Sequence, residues 1–428
     1  MDQVRLSRPR HTSQGFSVLV TLSLSRFDGE VVEQTYLGHQ FETNAVRAEF
    51  DSALERARIV PPLGRPVTLV PEANLVLVAF PNDRRMNLMT ERDLRAWLAA
   101  RANDLPIDGC PAQGRTLTEA RIQILRYVPG QRLTLRARGF IEGEHEARYP
   151  FAFIAKQFRK KKQARELFNN LRAVAAHLAS SPVGAVPRPI ACDEDLGMVL
   201  MEELCGSDLE QALPSLEVRT AMHEVGQLLA ALHRVPLPVP GTLSSQEHLA
   251  DIRASCEVVR EALPAAAPQL ERCLTMCVTG GWGDEVPAVV LHGACRPKHV
   301  LVHEGKLAFV DLDGMRMGHP AYDLGHFLSA LYYLEDGDRF DATVRSICSR
   351  CFIEGYLAGV PWKLSPAIVL RHVAALLIHK QARKYVLHMD DHPEQKVDRV
   401  LGLAEAALVC ASQLGEHAPF DAIWRVLD

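Results

Sequence analysis

The sequence is poor in aromatic residues, 6% of 428, and has only four tryptophans. It has no strong excess of either charge: 48 Lys and Arg stand against 52 Asp and Glu, a formal net charge of −4. That removes the electrostatic case for nucleic acid or an anionic membrane as the main partner. No apolar run reaches the roughly 20 residues that a membrane-spanning helix needs. Several basic residues lie between Met1 and Gly15, but no apolar stretch with a cleavage site follows, so no secretory signal is expected. The ten cysteines are scattered, several in helix-like apolar settings. This fits reduced thiols in a cytosolic protein and not a disulfide framework. Cys348 and Cys351 make one CxxC, and Cys273 and Cys277 one CxxxC. Neither has a second pair or a histidine pair at zinc spacing. There is no internal repeat and no GxGxxG loop. A cytoplasmic location is the default expectation.

What remains is an ordinary globular balance, 47% hydrophobic and 23% charged. The length is enough for two to three domains. Residues 1–115 read as a small α+β domain of unknown role. Its signs are a hairpin around Ser17 to Ser25 with a turn at Asp28-Gly29, helical spacing over 44–58, a strand from Leu75 to Phe80, and Thr90 as a helix cap. A linker rich in Asp, Pro and Gly, Asn103 to Gly114, follows. Residues 116–205 read as a β-rich lobe. Strands are expected over Arg121 to Tyr127, Arg132 to Phe140 and Tyr149 to Phe158. A helix follows with Ala164, Leu167, Phe168, Leu171, Val174, Ala175 and Leu178 on one face. Met198 to Leu204 is a further short strand. Residues 206–428 read as a helical lobe, with helices over Val218 to Leu232, Leu249 to Ala262, Tyr322 to Tyr333, Arg345 to Tyr356 and Pro366 to His388. One β-rich insert, Val289 to Asp313, interrupts them.

The chemistry concentrates in VVLHGACRPKHVLVHEGKLAFVDLDGMRMGHPAYDLGHFLSAL, residues 289–331. A strand ends at Leu291-His292-Gly293. A loop follows, then a hairpin turning at Glu304-Gly305. The second hairpin strand, Leu307 to Val310, delivers Asp311 and Asp313, which alternation makes neighbours on one side if the strand continues. Asp323 sits just inside the start of an apolar helix. The third strand of the β-rich lobe carries Lys156, on a face with Ala152 and Ile154. There it is suited to hold phosphates; the alternative is a strand-edge lysine reaching solvent. Glu166, on the next helix, is its natural ion-pair partner, or a solvated helix residue.

This stretch resembles the aminoglycoside phosphotransferase family, whose pattern is HGD, an Asn, a hairpin, an Asp, then DPAxDLA. His292-Gly293, Asp311 and Gly318 to Gly325 match it. Val225 to His233 is similar to the family's helix ending in AxLH. Met201 to Leu204, with Gly206 and Leu209, resembles the segment that links the family's two lobes. The resemblance covers roughly 120–360. It implies an α+β, bilobal, protein-kinase-like fold, here with an extra N-terminal α+β domain. It also implies ATP and Mg2+ as cofactors and transfer of a phosphoryl group to a hydroxyl of a small molecule. Such transfer rests on positioning and charge neutralisation. By the same resemblance, Lys156, Glu166, Glu202 and Leu204 serve the nucleotide. Asp311 binds metal, Asp313 is a second metal ligand or a hydrogen-bonded support, and His292 and Asp323 are structural.

Two departures stand inside the match. The position of the family's catalytic Asp is Ala294, and that of its downstream metal-binding Asn is His299. Ala294 has no proton acceptor, and losing a positioned base costs about 10²- to 10⁴-fold in rate. His299 and Asp313 are the possible substitutes. Three readings therefore stay open: a small-molecule phosphotransferase with an impaired chemical step, a pseudokinase that binds nucleotide, a ligand or a protein partner without catalysis, or an interaction adaptor that uses residues 1–115.

Overall fold

The computed structural model describes residues 3–12, 15–25, 31–179, 181, 184–236, 239–283, 286–335, 340–388, 391–415 and 418–428. The chain divides into two compact units. One holds Met1–Phe168 and Pro189–Glu203; the other holds Asn169–Arg188 and nearly all of the chain from Leu204 onward.

The first unit contains two five-stranded antiparallel sheets. The N-terminal sheet is built from β1 (Gln3–Thr12), β2 (Gly15–Ser25), β3 (Val31–Gln40), β4 (Val67–Val70) and β5 (Leu75–Ala79), in the order β1-β2-β3-β5-β4. The expected hairpin is β2 on β3, in register from Ser17↔His39 to Ser25↔Val31; its turn at Asp28-Gly29 lies outside the described residues. Helix α1 (Val46–Arg56) covers a small cluster around Ala53, Val67, Val76 and Val78. Helix α2 (Glu91–Ala100) begins in a capping box: Thr90 Oγ1 accepts from the Asp93 amide at 3.1 Å, and Asp93 Oδ2 accepts from the Thr90 amide at 2.8 Å. A cap of this kind is worth about 1 kcal/mol.

The second sheet comprises β6 (Thr116–Val128), β7 (Arg132–Glu142), β8 (Arg148–Phe158), β9 (Pro189–Asp193) and β10 (Met198–Glu202), in the order β6-β7-β8-β10-β9. Strand alternation splits its residues between two faces. Leu133, Leu135, Ala137, Phe151, Phe153, Ala155, Met198 and Leu200 share one buried cluster with Leu19, Leu37, Leu94, Trp97 and Leu98. The position expected to divide domains, near residue 115, is thus a change of sheet inside one compact unit, and one buried cluster runs across it. Polar contacts reinforce it. The Gln157 side chain accepts from the Met89 amide at 2.9 Å and donates to Asn87 O at 3.0 Å and Leu196 O at 3.1 Å. Trp97 Nε1 donates to Asp193 Oδ2 at 2.8 Å. Asp83 Oδ2 accepts from the Gly130 amide at 2.6 Å and from the Tyr127 hydroxyl at 2.7 Å, which fixes the β6–β7 turn.

Helix α3 (Lys161–Leu178) leads from the first unit into the second. The second unit carries α4 (Leu209–Ala212), α5 (Val218–His233), α6 (Ser245–Ala262), α7 (Ala267–Thr279), α8 (Ala321–Leu331), α9 (Ala342–Gly359), α10 (Pro366–Leu376), α11 (Arg383–Leu387), α12 (Pro393–Gln413) and α13 (Trp424–Leu427). Its strands are β11 (Ser207–Asp208), β12 (Thr242–Leu243), β13 (Val289–Leu291), β14 (Val300–His303), β15 (Lys306–Phe309) and β16 (Arg316–Gly318). They form two three-stranded sheets, β11-β14-β15 and β12-β16-β13. Helices α5 and α9 meet at glycines: a Cβ on Gly226 would stand 2.1 Å from Phe352 O, and one on Gly355 2.0 Å from His223 O. The helix expected from Pro366 to His388 is broken by a π-helical turn, Leu377–Ala382. Among the described residues no helix is long and apolar enough to cross a membrane, and all ten cysteines are free.

Because the N-terminal segment and the β6–β10 sheet share a core, they are expected to unfold in one transition. Trp97→Ala should cost about 3–5 kcal/mol, read as a lower urea midpoint for both sheets together.

Candidate active site

Strand β13 delivers the loop His292-Gly293-Ala294. Gly293 has φ +76°, and a Cβ there would lie 2.1 Å from Gly314 O, so only glycine fits this turn. The loop is held from below by Asp323, in the first turn of α8 and wholly buried. Its Oδ2 accepts from the His292 amide at 2.6 Å and its Oδ1 from the Gly293 amide at 3.0 Å. His233, at the end of α5, places Nε2 3.1 Å from Oδ2, and its Nδ1 lies 2.9 Å from the Tyr356 hydroxyl on α9. With Nε2 protonated toward the carboxylate, Nδ1 accepts from Tyr356. One carboxylate thereby ties three helices to the loop through charge-assisted hydrogen bonds. The His292 ring, also wholly buried, lies parallel to His299 at 5.8 Å and meets Phe309 edge-on at 5.1 Å. Burial lowers its pKa.

Ala294 and Gly293 are partly exposed above this support, as are Arg296, Asp311 and Asp313. His299 is buried. Its Nδ1 lies 2.9 Å from Ala294 O, so it carries the proton there. Its Nε2 lone pair accepts from Arg296 Nε at 2.9 Å, with Arg296 Nη2 at 2.8 Å. Burial, and then the Arg296 guanidinium, press its pKa down to about 3. Both ring nitrogens are engaged, so His299 offers no lone pair to a substrate hydroxyl.

Asp311 Oδ2 stands 3.4 Å from His299 Nε2. The expectation that alternation sets Asp311 beside Asp313 does not hold. Strand β15 ends at Phe309, Asp311 adopts φ 60°, ψ 46°, and Leu312–Gly314 forms a 3-10 turn. The left-handed backbone at Asp311 ends the extended run before Asp313 is reached. Asp311 and Asp313 are the hard oxygen donors here. At the position where the family's amide oxygen would complete a cradle, the imidazole is already capped by Arg296. Among the described residues no group of three His, Cys, Asp or Glu side chains is arranged to hold a metal ion. These residues do not reproduce the family's divalent-cation cradle.

In the first unit, Lys156 lies on β8 opposite Thr134 of β7 and Val199 of β10. It is 8% exposed, on the face turned away from the Phe151, Phe153 and Ala155 core. Glu166 forms an ion pair with Lys162, one helical turn away, at 3.2 Å. Glu202 ends β10 opposite Phe153, and Leu204 follows two residues on, half-buried. The sequence reading passed over Glu203. Its side chain is only 4% exposed, with Oε1 2.7 Å from Arg136 Nε and Oε2 2.7 Å from Arg138 Nε. Two arginines spaced by two on a strand share a face, which is the signal that could have pointed to a common acidic partner.

A β-rich unit with a buried central lysine, then a helical unit carrying a loop, a hairpin and an aspartate, is the element order of a protein-kinase-like fold. Residues 137–346 match the model of the phosphotransferase enzyme family. No curated protein matches the chain by sequence. Solved structures similar to it include a choline/ethanolamine kinase family protein from Mesorhizobium loti. That match has 15% identity and a TM-score of 0.46, over 79% of this chain and 99% of the other. The macrolide 2'-phosphotransferase of Brachybacterium faecium is similar at 17% identity and a TM-score of 0.43, over 76% and 100%. A spectinomycin phosphotransferase in complex with ADP and spectinomycin is similar at 10% identity and a TM-score of 0.47, over 76% and 99%.

Two outcomes are expected. Asp323→Ala leaves two loop amides and His233 without their acceptor, and should cost about 3–5 kcal/mol, read as a fall in melting temperature. The second concerns acid. Burial, followed by nearby cationic side chains, holds His248 and His379 down to about 3, from an ordinary 6.5. The folded chain keeps them neutral while the unfolded chain protonates them. Their contribution is therefore whole above 6.5 and is lost as the pH falls, by up to about 1.4 kcal/mol per pH unit for each ring. His248→Phe should shrink the drop in melting temperature between about pH 7 and pH 5, measured by circular dichroism.

Proposed function

We propose that this protein binds a nucleotide and a small hydroxylated molecule, with phosphoryl transfer that is lost or runs far below the family's rate. The observation that carries this is the combination at one loop. The Asp323 frame beneath His292 and Gly293 is complete, while the seat it supports holds Ala294. Energy spent on ordering the loop is retained where the proton acceptor is gone. His299 does not replace that acceptor, because Ala294 O and Arg296 occupy its ring nitrogens. Lys156, buried on a central strand, is the proposed phosphate lysine, and Asp311 the proposed carboxylate on the phosphate side.

The test is calorimetric titration of ATP into the full chain, with and without magnesium, alongside a phosphate-release assay. ATP is expected to bind, Lys156→Ala to weaken binding, and release to stay at background. The double variant Ala294→Asp, His299→Asn is expected to raise release by roughly 10²-fold or more. Parent-chain turnover within about tenfold of the double variant would show an active enzyme, and absence of ATP binding would remove the reading altogether.

A further inference from the structure

The N-terminal segment has no part in that account, yet it takes hold of the β6–β10 sheet close to Lys156. Residues 81–90 follow β5 and lead into α2. Their Met86, Leu88 and Met89 side chains enter the shared buried cluster. Asp83, near the start, uses both carboxylate oxygens. Its Oδ1 accepts from the Arg85 amide at 2.6 Å and the Met86 amide at 3.1 Å, which shapes the segment's own turn. Its Oδ2 reaches across to the β6–β7 turn, where the Gly130 amide and the Tyr127 hydroxyl donate to it at 2.6 Å and 2.7 Å. The Arg85 side chain lies over the same turn: a Cβ on Gly130 would stand 2.9 Å from Arg85 Cδ. Phe80 meets the Tyr127 ring edge-on at 5.1 Å.

This turn closes the end of the sheet beside Lys156. Arg126, Thr134 and Lys156 form one cross-strand row. Arg132, opposite Phe158, stands two residues nearer the turn, and the Gln131 carbonyl accepts from the Arg159 amide at 2.9 Å. Two strand residues span about 7 Å, so a phosphate on Lys156 has the turn for a neighbour. An unsupported turn frays, and closing it on a ligand costs the entropy of ordering it. Here four donors converge on one carboxylate from a separate segment, so the turn is ordered before any ligand arrives. Burial, and then the Asp83 carboxylate, push the Tyr127 phenol well above its ordinary range, so it stays a donor in neutral solution.

We infer that the N-terminal segment is a built-in support for nucleotide binding, with Asp83 as the positioning residue that holds the β6–β7 turn beside the phosphates of a nucleotide on Lys156. This rests on the proposed function for the nucleotide itself. It gives a role to a segment that lies outside the matched residues 137–346. Asp83 touches no ligand; it acts through the Gly130 amide and the Tyr127 hydroxyl.

Asp83→Asn is the probe, because it keeps the side chain's shape. The Arg85 and Met86 amides can only donate, whereas a phenol can turn to accept. The asparagine oxygen therefore stays with those two amides, and its NH2 group faces the Gly130 N–H, donor against donor. Trp97→Phe is the control: it removes the 2.8 Å hydrogen bond to Asp193, elsewhere in the same unit. ATP is titrated calorimetrically into the full chain and into both variants, and amide exchange over residues 127–132 is followed by mass spectrometry. Asp83→Asn should weaken ATP by roughly tenfold and speed exchange at the turn, with saturating ATP slowing it again. Trp97→Phe should lower the melting temperature and leave ATP affinity within about twofold of the parent. Parent-like ATP affinity in Asp83→Asn overturns the inference, as does an equal loss in both variants, or turn exchange that stays at the parent's rate. Those outcomes, with the parent binding ATP, leave the proposed function standing. Failure of the parent to bind ATP removes the proposed function and this inference with it.

Discussion

Everything in the second unit that bears on chemistry is referred to one buried carboxylate, Asp323. A carboxylate has room for several donors, and burial makes each unmet one expensive. Asp323 collects two consecutive loop amides and an imidazole, and that imidazole collects a tyrosine from a third helix. The loop His292 to Ala294 therefore has one available geometry as long as α5, α8 and α9 are assembled. The small sheets either side of the loop, and glycine at 293, serve the same end. Residue 294 could change without disturbing this scaffold, because its side chain takes no part in it.

The losses at 294 and 299 belong together physically. With an asparagine at 299, an amide oxygen would be available beside Asp311. With histidine there, the ring needs an acceptor for one nitrogen and a donor for the other, and Ala294 O and Arg296 supply them. The loop has exchanged open donors for an internally satisfied cluster. Arg296 then introduces a permanent positive charge near Asp311, of the sign a cation would have brought.

The linear pattern made the loop, the hairpin and Asp323 legible, since they lie within about forty residues of each other, with glycine, proline and aspartate at turns. Helices α5, α8 and α9 were readable from their apolar spacing. The strand pairing of β14 with β15 followed from the Glu304-Gly305 turn. Asp311 was misplaced because alternation assumes an extended chain, and a single left-handed residue voids it. The shared core of the two sheets was invisible, since Trp97 and Phe153 read equally well as members of separate cores. Helices α7 and α12 were missed, and so was the π turn, a feature with no periodicity of its own.

Strand β8 presents its odd-numbered residues Phe151, Phe153 and Ala155 to the core shared with the N-terminal segment, and its even-numbered residues, Lys156 among them, to the opposite face. The two faces are written in one reading frame. A single-residue insertion or deletion within β8 would exchange them, sending phenylalanines to the lysine's side and a charge into the core. The N-terminal segment thus acts as a phase lock on that strand. Its grip on the odd positions keeps Lys156 in phase, so a chain without this segment would lose the definition of register as well as surface cover.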